Sequence, residues 1–435
     1  MVDIRSIIAK KRDGAELRAE EIAEAVDAYT NGRVSDAVMA ALLMAIVLQG
    51  MSARETADLT KAMMESGDRL DLSAIPGTKV DKHSTGGVGD KTTLVVAPLV
   101  ASFGVKVPKM SGRALGHTGG TIDKLECVPG LTTELSPAQF QRQLVEIGVA
   151  IAAQSADLCP ADKKIYALRD ATATVPSLPL IASSVMSKKL AAGADAVVLD
   201  VKVGRGALIE REAEARQLAE VMVEIGADMG KRVVALITRM DEPLGRTVGD
   251  AVEMVEAIQT LQGKGAPDFV ELCEVIAAHM LVLGGEADST EQGCDRARKR
   301  IQDGGGLAKM HELLAAQGGD VSVAENPEQL LTGAVRIEVT SDHDGYVADI
   351  DAKTVGEAVK GLKGLAPEGK HLCGVQFHRK VGDAVSRGDV VATVLAPRGA
   401  ADGAAQTAVI VSGAIQVGRL PQTPRPRVLL DIVEP

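Results

Sequence analysis

From residue 3 to about residue 67 the apolar positions recur at helical spacing, separated by capping signals. "AEEIAEAVDAYTNG" ends at Gly32, and "SDAVMAALLMAIVLQG" opens at Ser35, an N-cap type of residue, and ends at Gly50. Ser52 and Glu55 then form a capping box for a helix that closes at Gly67. The stretch from Ala37 to Leu48 carries no charge and is apolar on every face. It predicts a helix packed on both sides, either within the chain or against a second copy. It is too short to span a bilayer.

Beyond "DLSAIPGTKVDKHS" the texture changes. "TTLVVAPLVASFG", "VKVPKMSGRALGHTGGTIDKLE", "ADAVVLDVKVGRG" and "KRVVALITRM" read as short β-rich runs followed by glycine loops and helices. Such alternation predicts an α/β domain with a mostly parallel central sheet, in which ligands gather at the carboxyl ends of the strands. After about residue 335, "VRIEVTSDHDGYVADID" and "GVQFHRKVGDAVSRGDVVATVLA" predict strands joined by tight turns, a hairpin-rich α+β domain. "KVGDAVSRGD" has the form of a lipoyl- or biotinyl-carrier hairpin. No Lys flanked by Met or Ala offers an attachment point, so its role is structural. The resulting divisions are a small all-helical domain over 1–67, an α/β region over 68–334 and a C-terminal domain over 335–435.

Composition narrows the ligands. The chain carries a net charge of −11, and aromatics make up 2% of it, with no Trp. An acidic chain without stacking platforms is a poor partner for nucleic acid, so any anionic ligand is small and locally captured. Five cysteines, Cys127, Cys159, Cys273, Cys294 and Cys373, are scattered and form no C-x-x-C pair. That usage fits a reducing compartment rather than a disulfide framework or zinc site. The N-terminus "MVDIRSIIAKKRDG" lacks the features of a signal peptide, which predicts a cytoplasmic protein with no membrane partner.

Two glycine-rich loops carry candidate chemistry. "KHSTGGVGDKTTL", residues 82–94, approaches the ATP-loop pattern, yet Asp90 stands where Gly should precede Lys91. A carboxylate there has the wrong sign for a polyphosphate, so the loop either binds phosphate differently or is an ordinary turn. "KMSGRALGHTGGTIDKLE", residues 109–126, again sets Ser and Thr among glycines before a helix. Together the loops offer Lys82, Ser84, Thr93, Ser111 and Thr121 to one tetrahedral anion.

Further along, Pro179 opens a helix on which Ser184 and Lys188, four residues apart, share a face. With Arg169 they make a three-point polar set suited to the carbonyls and ring N–H of a planar heterocycle that leaves as an anion. The alternative is a solvated basic helix end, with Lys188 and Lys189 complementing the dipole.

The runs "KHSTGGVGDKTTL", "SGRALGHTGGTIDKLE", "YALRD" and "PLIASSVMSKKLAAGADAVVLDVKVG" resemble the pyrimidine-nucleoside and thymidine phosphorylases, the second structural class of nucleoside phosphorylases. "SGRALGHTGGTIDKLE" is close to that family's signature. The similarity extends over essentially the whole chain and is weakest after about residue 330. It implies reversible phosphorolysis of uridine, thymidine or deoxyuridine by inorganic phosphate, the co-substrate, with no organic cofactor. By resemblance, Lys82, Ser84, Thr93, Lys109, Ser111 and Thr121 hold phosphate. Arg169, Ser184 and Lys188 hold the base, with His83 beside its carbonyl as proton donor or orienting group, and His83, Arg169 and Lys188 are the catalytic residues. Two site-bearing domains close by a hinge.

The resemblance also implies a potassium ion on the carbonyls of Gly89, Lys91, Leu244 and Thr247 and the Glu256 carboxylate. It implies a homodimer through the N-terminal helices, joined in space by roughly 160–192. Lys109 resembles the broad-specificity members rather than thymidine-selective ones. Ala114 stands where many relatives have Gly, and Leu208 where many have Phe, which leaves the preference at the base 5-position open. The rival enzyme is an anthranilate-type phosphoribosyltransferase, whose magnesium pyrophosphate would call on acids such as Asp90, Asp123 and Glu126. A noncatalytic nucleoside- or nucleotide-binding protein is the rival from another class.

Overall fold

The computed structural model describes residues 3–114, 116–155, 157–420 and 426–435. Four helices open the chain: Ile4–Arg12, Ala19–Thr30, Asp36–Gln49 and Ala53–Met64. Ser52 and Glu55 make the reciprocal capping box, whereas Ser35 occupies its N-cap position without a side-chain bond. Glu55 also accepts from Lys11 Nζ at 2.9 Å and from the Leu17 amide at 2.8 Å, so one buried carboxylate ties the first helix and its following loop to the fourth. Helix Asp36–Gln49 buries Met39, Leu42, Leu43, Ala45 and Ile46, but leaves Met44 38% and Leu48 74% exposed. Its second apolar face is therefore uncovered in a single chain.

Helices Pro160–Ala171 and Leu178–Ala191 pack on this bundle, where Ala161, Ile165, Leu168 and Leu180 share a core with Ile22, Leu43, Leu59 and Met63. The sequence between them and the bundle builds the first three strands of the central sheet, and the chain after them builds the rest.

Strands β1 (Val80–Ser84), β2 (Val107–Ser111), β3 (Val149–Ala153), β4 (Ala196–Val203) and β5 (Arg232–Arg239) are parallel. The Val80 amide donates to the Lys106 carbonyl at 2.9 Å, beside a parallel bridge between Lys79 and Lys106, which sets β2 next to β1. The order is β3-β2-β1-β4-β5. All eight residues of β4 are buried, as suits a central strand covered on both faces.

One of the four β-rich runs is not a strand. Thr92–Ala101 is a helix, with all ten of its residues buried. A short, wholly apolar run lacks any period that separates a buried strand from a buried helix. The consequence matters, because this helix aims its N-terminus into the first glycine loop.

The C-terminal region adds β6 (Thr247–Gly249), β7 (Ala334–Thr340), β8 (Gly345–Ile350), β9 (Gly374–Phe377), β10 (Ala384–Val385), β11 (Val390–Pro397) and β12 (Ile415–Gly418). They form two antiparallel sheets, ordered β6-β9-β11-β7 and β10-β8-β12. Successive strands therefore do not pair as simple hairpins: β7 and β8 lie in different sheets, and β9 pairs with β11 past β10. The last strand, β13 (Leu429–Val433), returns to the central sheet and pairs antiparallel with β5. Because β6 precedes residue 335 and joins the C-terminal sheet, each lobe lends a strand to the other.

Candidate active site

β1 ends in Lys82, His83 and Ser84 and its neighbour β2 in Ser111, so both serines stand at the carboxyl edge of the parallel sheet. Loop 85–91 turns through Gly86 and Gly89, at φ of 96° and 76°, before helix Thr92–Ala101. The second glycine loop feeds the short helix Thr121–Leu125. Ser84 Oγ accepts from the Gly86 amide at 3.1 Å. Among the described residues, none partners the hydroxyls of Thr93, Ser111 or Thr121. These three hydroxyls are donors suited to an anion.

Beneath the loops lies a buried lattice of charge. Lys82 Nζ reaches Thr92 Oγ1 at 2.5 Å, Asp200 Oδ2 at 3.3 Å and Asp90 Oδ2 at 3.9 Å. Asp90 Oδ1 accepts from the Thr92 amide and hydroxyl at 3.2 and 2.6 Å, and its carbonyl accepts from Lys124 Nζ at 2.6 Å. Burial pushes the Asp90 carboxyl up, but Lys82, Lys202, Lys124 and the Ser84 hydroxyl outweigh it and hold the group well below the usual carboxylate range. Asp90 thus balances buried lysines. Lys82, assigned to phosphate by resemblance, braces the loop from within.

Lys109 is buried too, donating to the Lys82 carbonyl at 2.6 Å and lying 3.9 Å from Asp81. Asp81 pairs instead with Lys189 at 2.9 Å. Burial, then the neighbouring Lys189 and Lys82 ammoniums, push Lys109 well below its ordinary value despite Asp81. Its charged form is short of a counterion, since Asp81 is nearer to Lys189. Burial and the ammoniums of Lys189, Lys109, Lys188 and Lys82 likewise push His83 well below its ordinary value, so its imidazole is neutral near pH 7.

On helix Leu178–Ala191, Lys188 Nζ donates to Ser184 Oγ at 3.0 Å and to Asp162 Oδ2. Arg169 differs from its expected role. Its guanidinium is buried and donates to the carbonyls of Thr174, Leu180 and Val175 at 3.2, 3.0 and 2.6 Å. Three of its five N–H groups hold the turn that leads into the Lys188 helix, leaving two for a ligand.

Residues 76–307 match the model of the glycosyl transferase family a/b domain, and residues 5–67 that of its helical bundle domain. The chain is 51% identical over 402 residues to the pyrimidine-nucleoside phosphorylase of Geobacillus stearothermophilus, with 92% of each chain covered. It is 48% identical over 402 residues, with the same coverage, to that of Bacillus subtilis. The chain belongs to the pyrimidine-nucleoside phosphorylase family. It is therefore an enzyme of the pentosyltransferase type.

Anthranilate phosphoribosyltransferase from Thermus thermophilus shares the fold, with a TM-score of 0.59 over 71% of this chain and 98% of its own, at 22% identity. That likeness carries the architecture and not the reaction.

The potassium site implied for this family does not fit. The carbonyls of Gly89, Leu244 and Thr247 and the Glu256 carboxylate do converge, but on the ammonium of Lys91. A cation of the chain's own already fills the position.

Several residues that shape the site escaped sequence reading. Asp162 lies two helical turns before Arg169, and that spacing was its only signal. Asp81, Asp200, Lys202 and the Lys124–Glu253 pair, 2.6 Å apart, meet only through the fold. Loop 204–209 reaches over the phosphate loops through a Gly87–Ala207 bridge and a 3.3 Å contact of His117 Nε2 with the Gly206 carbonyl. Leu208, on this loop, is 47% exposed. The five cysteines are free thiols, all buried except Cys294, and no described helix is long and apolar enough to cross a membrane.

Proposed function

We propose that the chain catalyses reversible phosphorolysis of pyrimidine nucleosides, accepting uridine, deoxyuridine and thymidine, with inorganic phosphate as nucleophile. The field around His83 supports this most: the ammoniums of Lys109, next to the second glycine loop, of Lys188, on the base helix, and of Lys82 in its own strand all act on its ring. A nucleoside bound at His83 has an anion site on one side and a stabiliser for its leaving base on the other.

In this reading the hydroxyls of Thr93, Ser111 and Thr121 orient phosphate, and Lys109 gains the counterion it lacks. A phosphate oxygen attacks the anomeric carbon as the glycosidic bond breaks, and the bonding electrons pass to the pyrimidine ring. Lys188 and Ser184 stabilise that charge, and the neutral His83 offers an N–H to a ring carbonyl. A donor so placed contributes on the order of 3 kcal/mol to the barrier. Arg169 positions the base helix and supplies its remaining N–H groups. Closure of the two units excludes water, the competing nucleophile.

Lys109, so close to the phosphate loops, favours broad specificity. The uncovered Met44 and Leu48 support a homodimer through the N-terminal helices, and free buried thiols suit the cytoplasm.

The test is release of uracil and thymine from uridine, deoxyuridine and thymidine, with and without phosphate and without magnesium. Phosphate-dependent release is the expected result. No release from any of the three overturns the reading, and consumption of an aromatic acceptor with phosphoribosyl pyrophosphate and magnesium, giving pyrophosphate, would point to the transferase instead.

A further inference from the structure

Lys91 sits in the phosphate loop, yet its side chain serves another purpose. Its buried ammonium lies 3.1 Å from the Gly89 carbonyl, 2.7 Å from Leu244, 3.4 Å from Thr247 and 2.7 Å from Glu256 Oε2. The Phe269 ring centroid is 4.8 Å away. Three carbonyls and one carboxylate form an all-oxygen cage, the donor set of a hard cation, around three N–H groups. The backbone closes over the cage at Gly245, where an added Cβ would lie 2.8 Å from Lys91 Nζ and 2.6 Å from Glu256 Oε1.

Across the same loop, Lys380 Nζ takes the Gly245 carbonyl at 2.8 Å and also the Pro243 carbonyl, and pairs with Glu242 at 3.0 Å and Asp268 at 3.3 Å. Four of the five carbonyls of residues 243–247 are therefore divided between two ammoniums, one from the phosphate loop and one from the C-terminal lobe, and the Arg246 carbonyl accepts from the Phe377 amide. Lys91 is followed by Thr92, which bonds Lys82 and Asp90, and then by Thr93. The backbone that the Lys91 ammonium anchors is continuous with the anion donor Thr93.

We propose that Lys91 is a tethered substitute for a monovalent metal ion: its ammonium occupies the cage, locks loop 85–91 to loop 242–247, and makes the fold and phosphate binding independent of potassium. Removing the side chain opens the cage and creates a potassium requirement. Lys91 is a positioning residue, since its contacts are to protein oxygens. The kinetic half of this inference rests on the phosphorolysis reading, and the stability half does not.

The experiment is thermal melting of the full chain in potassium, sodium and choline chloride at equal ionic strength, for wild type, K91A and K91M. The wild type melts within about 1 °C in all three salts. K91A melts lower in choline, on the order of 5 °C, through the unpaired Glu256, and potassium restores most of the loss saturably. K91M fills the cage without charge, so it loses stability and potassium does not restore it. In parallel, K91A raises KM for phosphate about tenfold in choline and recovers in potassium, while KM for nucleoside moves less than about twofold.

A saturable, potassium-specific rise in wild-type melting overturns the inference, as does a K91A variant indifferent to cation or a K91M variant rescued as well as K91A. Should neither variant fold, the wild-type salt comparison decides alone. Failure of phosphorolysis with the melting pattern intact counts against the catalytic reading only.

Discussion

Asp162, in the first turn of one helix, pairs with Lys188, in the last turn of the next, while its other carboxylate oxygen is buried with no hydrogen-bond partner among the described residues. The pair holds the ammonium against Ser184 Oγ, and the arrangement separates binding of the charge from its orientation.

K188A is expected to lower kcat by about a hundredfold or more, the loss typical of a donor aimed at developing charge. D162N leaves the ammonium in place but unoriented, and lowers kcat by about tenfold. In both, phosphate still raises the melting temperature. Steady-state kinetics and melting with phosphate check this, and unchanged turnover in K188A would remove Lys188 from the mechanism.

The hydroxyls of Ser111 and Thr121 have no partner among the described residues, so they are available to phosphate. The double variant S111A/T121A should raise KM for phosphate about tenfold or more while KM for nucleoside shifts less than about twofold. Equal effects on both substrates would contradict the assignment.

His83 has a folded pKa below its unfolded value of about 6.5. Between those two values the unfolded chain binds more protons, so stability is full above about pH 6.5 and falls as pH drops towards the folded value, with a slope approaching 1.4 kcal/mol per pH unit. H83Q removes that part of the slope. Denaturant melts of both proteins from pH 5 to 8 measure it, and parallel curves would mean that His83 does not titrate as described.

Lys109 is depressed by burial and by its lysine neighbours. An anion beside it raises its pKa, so phosphate binding should take up a proton, up to about one, wherever the pH lies between the free and bound values. Calorimetry at a series of pH values, in two buffers of different ionisation enthalpy at each, reads the uptake. It should vanish in K109M, and persistence there would assign the proton to another group.

Much of this layout was legible in the chain. Ser52 with Glu55 marks a helix start by local bonding alone, and β4 opens on the apolar run Ala196–Leu199 and ends before Gly204. The loop hydroxyls likewise announce themselves by composition. What stayed hidden is nonlocal. Thr92–Ala101 carries β-branched residues but is a helix, because enclosure on all sides overrides propensity. The Asp162–Lys188 pair joins two helices, Lys91 meets oxygens more than 150 positions away, and β13 finds β5 from the far end of the chain. Even Asp90, recognisable as a departure from an ATP loop, reveals its purpose only beside Lys82 and Lys124.

The exchange of β6 and β13 ties the two lobes like clasped hands. A fragment ending at residue 334 would strip β13 from Ala235–Thr238 and bare a long apolar edge, which invites aggregation. A fragment beginning at 335 would lose the strand that covers β9. Neither half is a natural unit for engineering or for evolution by domain shuffling; insertions belong in exposed turns, and the lobes must be inherited together.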